Sequence, residues 1–292
     1  MKTGLWIIKI TVPISFGVLL LKLTGLLPVI AGVFAPVFAL FGMPGESALV
    51  FVTAGLVNIY ACIGVMETLG LGGHTITILA LMCLISHSLP VETAVQKKTG
   101  SSFWAIVMVR LTASLAGAFF LSLFLQPDTQ TRVVSAAGTP MVAGGFAAEF
   151  KVWLVAITIL CAKILVLITL LMMLQRILEE FGVIRWLSRM LKYPLLVLGV
   201  PREAGFLWIV ANTLGLAYGA GIIIDHVERG RLSEKHADIL NYHIAVSHSL
   251  LEDTLLFVAV GASAGWIIFP RIVLAGVVVW IKRIIEMGLR FH

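Results

Sequence analysis

An eight-residue polar word, Ser86-His87-Ser88-Leu89-Pro90-Val91-Glu92-Thr93, returns as Ser247-His248-Ser249-Leu250-Leu251-Glu252-Asp253-Thr254. The offset is 161 positions, and six of eight agree when the acid swap of Glu92 for Asp253 is counted. The same offset carries Arg110 onto Arg271. Upstream, Phe41-Gly42-Met43-Pro44-Gly45-Glu46 returns as Leu198-Gly199-Val200-Pro201-Arg202-Glu203, at an offset of 157. That offset also pairs Gly25 with Gly182, Ala54 with Ala211 and Gly64 with Gly221. The change of four falls where the second copy carries a charged loop, Glu228 to Asp238. Such a chain folds as two copies of one unit, and its function is expected between them.

The medium follows from what surrounds the repeated words. Only 12% of the 292 residues are charged and 60% are apolar, against about 25% charged in a soluble domain. Runs such as Trp153 to Met173 and Ile267 to Ile281 approach the roughly 20 residues that cross a bilayer as a helix. The N-terminal run from Leu5 to Leu21 is interrupted by Lys9 and lacks a small-residue cleavage site, so it reads as a retained helix. Cys62, Cys83 and Cys161 are scattered through apolar runs, which suits small buried residues and neither disulfides nor a metal knuckle. A formal charge of +6 suggests nucleic acid in a soluble protein; here membrane topology accounts for it.

Each copy reads as the same series of segments. An apolar helix (about 4–24 and 152–174) is followed by an interfacial segment (about 26–41 and 179–197). In the second, Arg185, Arg189 and Lys192 recur at helical spacing. The Gly-x-Pro-x-Glu turn comes next, then apolar stretches 46–68 and 203–225 with small or polar centres, Gly55 and Asn58, then Asn212 and Gly215. Two more apolar segments close each copy, near 74–95 and 103–126, then 239–258 and 264–288. If 46–68 and 203–225 are re-entrant hairpins, each copy crosses three times and the copies are inverted. Lys2, Lys97, Lys98, Arg176, Arg185, Arg189, Lys192, Arg202, Arg229, Arg231, Lys235, Lys282, Arg283 and Arg290 then share one side, opposite Lys22, Arg132 and Lys151. Spanning segments would blur that asymmetry. Because cytoplasmic loops collect Lys and Arg, inverted repeats are expected, with both termini cytoplasmic in a cell membrane. The expected division is 1–126, a linker 127–150 on the outer side, and 151–292.

This series resembles the nucleoside recognition or Gate domain, found in concentrative nucleoside transporters, the membrane part of B-type ferrous-iron transporters, and spore maturation proteins A and B. The resemblance covers nearly the whole chain as two units and concerns architecture more than substrate-reading residues. It implies an all-α integral membrane protein with a site near the midplane. The site would be formed by 46–68 with 86–93 and 203–225 with 247–254. The chain departs from these relatives in lacking Gln/Glu-rich hairpin tips and any GxxxxGK[ST] nucleotide loop.

Ionisable side chains inside bilayer helices mark function by default. His87 and His248 come with Glu92 and Asp253 five residues on, about 500° around a regular helix. A break at each Ser-His-Ser would turn both toward one cavity, with Ser86, Ser88, Ser247 and Ser249 serving freed carbonyls or a cation. Unwound backbone at that depth is tolerated where it lines a cavity or is buried in protein. The plainer alternative for the histidines is an interhelical hydrogen bond. Arg110 and Arg271 either pair with Glu46 or Glu203 or clamp an anion. Glu46 and Glu203 otherwise cap helix N-termini, and Lys9, matched by Lys163, snorkels to the interface. The cluster from Arg229 to Asp238 reads as a solvated loop.

The expected function is transport of a small polar or ionic solute between the repeats, with His87 and His248 proton-coupled or in contact with solute. A divalent metal carrier is the alternative, with His87 and His248 as ligands beside Glu92 and Asp253; Arg110 and Arg271 stand against it. A non-transporting scaffold is the alternative of another class. No HExxH occurs, and no enzyme and no cofactor other than such a metal ion is expected. Expected partners are the bilayer and a small solute or ion, without nucleic acid; a homo-oligomer is allowed.

Overall fold

The structure is a computed structural model that describes residues 2–125 and 145–288. Most of the expected linker 127–150 therefore lies outside the described residues, as do Arg132 and Arg290. The described elements are helices, without a strand among them. In the first copy α1 (Lys2–Leu23) and α2 (Leu26–Ala39) meet at a 96° bend. The half-length helices α3 (Ser47–Leu56) and α4 (Ile59–Leu69) follow, then α5 (Gly73–Ser86), α6 (Leu89–Lys98) and α7 (Phe103–Ser122).

The second copy repeats this order. It runs through α8 (Gly145–Glu180), α9 (Val183–Met190), α10 (Lys192–Val197), a 3-10 turn (Arg202–Ala204), α11 (Gly205–Thr213) and α12 (Leu216–Glu228). It ends with α13 (Glu234–Ser247), α14 (Glu252–Val258) and α15 (Ala264–Gly288). Helix α8 begins at Gly145, earlier than the 152 expected from hydropathy, and its 36 residues reach about 54 Å.

Among the described residues four stretches are long and apolar enough to cross a membrane: Gly73–Lys98, Phe103–Ser122, Phe146–Glu180 and Ala264–Met287; the bent pair α1–α2, if counted as one span, makes a fifth. Lipid tails are as apolar as leucine, so burial from water does not drive these helices together; close packing and polar contacts do. At Gly117 an added methyl would come within 2.9 Å of Leu81 and 3.1 Å of Leu274. Only a small residue lets α5, α7 and α15 approach so closely. The outward faces carry Val33, Trp104, Phe119 and Phe269, all exposed, as a lipid-facing surface would.

Between α11 and α12 the chain folds back on itself. A methyl added at Gly219 would lie 3.0 Å from Cα of Ala211, whereas eight residues along one continuous helix span about 12 Å. In the first copy the break falls at Val57 and at Asn58, which is extended (φ −173, ψ 174). There α3 packs directly on α4. Arms of 10 and 11 residues reach about 15 Å, half of a hydrocarbon core of about 30 Å. The turns feeding both segments use Gly42 (φ 67) and Gly199 (φ 84), where positive φ favours glycine.

Equivalent helices of the two copies run in opposite directions where they touch. Across α5–α6 and α13–α14, Gln96 Nε2 donates to the Asn241 carbonyl at one end, and Ser263 N donates to Thr77 Oγ1 at the other. Phe124 stacks on Trp266 while Gly117 faces Leu274, which makes α7 antiparallel to α15. Lys22 pairs with Glu149, and Trp153 donates to Ser15 Oγ, so α1 and α8 do the same. With equivalents 161 apart and contacts running oppositely, only one equivalent pair near the middle of α5–α6 can face itself. That pair is His87 and His248.

Candidate functional site

Both repeated octamers break their helix in the same way. Helix α5 ends at Ser86, His87 is extended (φ −67, ψ 155), Ser88 is left-handed (φ 47, ψ 36), and α6 begins. In the second copy His248 (φ −57, ψ 161) and Ser249 (φ 52) repeat the pattern. A left-handed serine costs on the order of 1 kcal/mol or more, and these two are the only non-glycine residues at positive φ among those described.

The hairpin tips satisfy the donors that the breaks release. Ser88 N donates to the Ala54 carbonyl at 2.8 Å, and Ser88 Oγ to the Val57 carbonyl at 3.2 Å. In the second copy Ser249 N donates to Ala211 at 3.1 Å and Leu251 N to Asn212 at 3.3 Å. Each hairpin therefore reaches the break of its own copy, and bilayer lipid could offer those groups no partner.

The arginines satisfy the released acceptors, which corrects their expected pairing with Glu46 or Glu203. Arg110 Nε donates to the Ile85 carbonyl and its Nη2 to the His87 carbonyl, both at 2.7 Å. Arg271 Nε donates to Val246 at 3.3 Å and its Nη2 to the His248 carbonyl. The acceptors, like the donors, are 161 residues apart. Both guanidinium groups are fully buried and give Nε and Nη2 to the backbone, while each Nη1 has no hydrogen-bond partner. Glu46 is buried at the start of α3 without a side-chain cap bond. Glu203 lies at the outer turn, 3.5 Å from His236. Both sit a full hairpin arm away from the breaks, which is why neither meets an arginine.

At the centre four titratable side chains converge. His87 Nε2 lies 3.4 Å from His248 Nε2. Glu92 Oε1 is 3.0 Å from His87 Nε2, and Glu92 Oε2 is 3.2 Å from His248 Nε2 and 2.7 Å from Arg110 Nη2. Asp253 Oδ2 is 3.5 Å from His87 Nε2 and, although buried, has no hydrogen-bond partner. The other ring nitrogens are anchored: His87 Nδ1 lies 3.2 Å from the Cys83 carbonyl and His248 Nδ1 2.8 Å from that of Ile244. A carbonyl only accepts, so each Nδ1 carries a proton and Nε2 is the ring nitrogen turned inward.

The remaining candidates frame this centre. Asn58 accepts from Ala61 N and so caps α4; Asn212 donates to the Trp208 carbonyl, leaving its buried Oδ1 without a partner. Ser86 Oγ donates to the Arg110 carbonyl, whereas Ser247 Oγ donates to that of His243. Lys9 and Lys163 are exposed on outer faces, away from the site.

Two groups of polar residues were not singled out by the sequence. Glu252 accepts from Tyr60 at 3.3 Å and from Gln175 at 3.2 Å, joining both copies beside Asp253. Its equivalent is Val91, so the repeat gives no signal there. On the Lys97–Lys98 side of the histidines, Asn241 Nδ2 donates to Thr99 Oγ1 at 2.7 Å and to Ser101 Oγ at 2.9 Å. Ser101 donates to Asp238, which Lys282 meets at 2.6 Å. Asp238, read as the end of a solvated loop, instead belongs to a polar clasp between the copies.

Among curated proteins, the chain is similar to one from Bacillus subtilis (strain 168) described as "uncharacterized membrane protein YvoD". The two are 27% identical over 271 residues, covering 91% of this chain and 86% of the relative. No protein-family model matches the chain, and no solved structure matches it. Its apolar helices and this similarity agree on an all-α membrane protein.

Proposed function

We propose that the chain is a transporter of a small polar or ionic solute, built from two inverted Gate-like repeats with both termini in the cytoplasm. One observation carries this reading: equivalent helix breaks from the two copies face each other and bring His87, His248, Glu92 and Asp253 to one point. A scaffold needs no such centre, because buried ionisable groups in a membrane are expensive. The antiparallel contacts between equivalent helices support the inversion, and the excess of Lys and Arg on one side supports the orientation. Transporters with inverted repeats place solutes at such discontinuous helices and move one repeat against the other.

Uptake into proteoliposomes tests the proposal, with labelled nucleosides, amino acids and divalent Mn, Fe, Co and Zn as solutes. Wild-type protein accumulates at least one of them above empty vesicles. The double substitution His87→Gln, His248→Gln keeps hydrogen bonding but lowers that uptake at least tenfold in a correctly folded protein. Vesicles that move none of these solutes, or full uptake by the double variant, would remove the case for a histidine-centred transport site.

A further inference from the structure

We propose that the convergence point is a coordination site for one divalent first-row transition-metal ion, held by His87 Nε2, His248 Nε2, Asp253 Oδ2 and a Glu92 oxygen. This deepens the transporter reading, and rests on it, by naming the solute class. The first argument is spacing. Four ligands placed tetrahedrally at about 2.0–2.1 Å from a metal lie about 3.3 Å from one another. Here the two Nε2 atoms are 3.4 Å apart, Asp253 Oδ2 is 3.5 Å from His87 Nε2, and Glu92 oxygens lie 3.0 and 3.2 Å from the two imidazoles. One atom from each of His87, His248 and Asp253 lies within 4.8 Å of the others.

The second argument is the direction of the lone pairs. Both Nδ1 atoms face helical carbonyls, so in neutral rings two Nε2 lone pairs and two carboxylates point at one another. A shared cation removes that conflict. Carbonyl-anchored Nδ1 atoms are also the usual outer support of metal-bound histidine. The third argument is Asp253 Oδ2, buried and without a hydrogen-bond partner; a buried carboxylate oxygen in that condition is costly unless something binds it.

The arginines do not forbid a cation. Each spends its Nε and Nη2 on two break carbonyls, and Arg110 also meets Glu92. With two guanidinium groups offsetting two carboxylates, the site holds a metal weakly enough to release it. Two imidazoles with carboxylates favour Mn, Fe, Co or Zn over Mg and Ca, which take all-oxygen shells.

Co²⁺ titration of the full chain, purified in detergent without a polyhistidine tag, tests the site. One Co²⁺ per chain is expected, with the intense visible bands of a tetrahedral ion; Zn²⁺ displaces it and Mg²⁺ does not. Asp253→Asn and His248→Gln should each weaken binding at least tenfold while unfolding like the wild type in thermal melts. Lys163→Gln, on an exposed outer face, serves as a control and should retain the bands. Absence of a stoichiometric cobalt spectrum, or one untouched by Asp253→Asn and His248→Gln, overturns the metal site. Cobalt binding without uptake would leave the site standing and remove transport. Uptake of an organic solute without cobalt binding would do the reverse.

Discussion

The two copies of the octamer share a backbone and differ in their carboxylates. In both, an extended histidine and a left-handed serine interrupt the helix, a hairpin tip accepts from the serine, and an arginine two helices on braces the carbonyls. Glu92, one methylene longer, reaches Arg110 and both imidazoles. Asp253 stops 3.5 Å from His87 and keeps an unpartnered oxygen. Duplication has kept the devices that hold the break open and let the charged groups diverge. The centre is therefore asymmetric, with Glu92 also braced by Arg110 and Asp253 keeping an oxygen without a hydrogen-bond partner.

Three sets of substitutions probe that contrast. Removing an arginine should hurt most, and unequally. Arg110→Ala leaves the partly buried Glu92 without its guanidinium and should cost about 3 kcal/mol. Arg271→Ala loses charged hydrogen bonds to carbonyls and should cost about 1.5–3 kcal/mol. Equal losses in unfolding measurements would mean that Glu92 is not the partner that distinguishes the copies. The carboxylates come next. Glu92→Gln should cost about 1–3 kcal/mol, because Arg110 loses its counter-charge. Asp253→Asn removes a buried charge whose Oδ2 has no hydrogen-bond partner, so it should not destabilise the fold while weakening metal binding at least tenfold; a large loss of stability there would assign Asp253 a structural role.

The smallest effects belong to the left-handed serines. Ser249→Gly relieves a strained φ and should stabilise by about 0.5–1 kcal/mol. Ser88→Gly gains the same relief but forfeits the bond from Ser88 Oγ to the Val57 carbonyl, worth about 1 kcal/mol, so the net change should be near zero. Matching gains at both positions would show that this hydroxyl bond contributes little.

What the sequence revealed and what it hid have a common physical cause. Backbone interruptions demand particular residues, so the Gly42 and Gly199 turns, the polar hairpin centres and both Ser-His-Ser breaks are visible as chemistry out of place in an apolar chain. The turns themselves fall at Val57–Asn58 and Leu214–Gly215, inside the expected centres Gly55–Asn58 and Asn212–Gly215. The role of Arg110 and Arg271 was hidden because their partners are main-chain carbonyls, which no residue letter marks. The Glu252–Tyr60–Gln175 contact was hidden because it breaks the repeat. Asp238 reads as solvated because it stands in a charged loop, where one acid looks like the next; only its approach to Ser101 and Lys282 separates it.

A shared central site requires the two copies to lie in opposite orientations, so that equivalent breaks share one axis. Ser102 and Ser263 are equivalents at the offset of 161, both exposed and both leading into the last helix of their copy. Each can be replaced by cysteine in a chain whose Cys62, Cys83 and Cys161 have been substituted, then treated with a membrane-impermeant thiol reagent in intact cells. Inverted copies predict that position 263 is modified from outside and position 102 only after the membrane is opened. Modification of both from the same side would contradict the inversion and, with it, a shared central site.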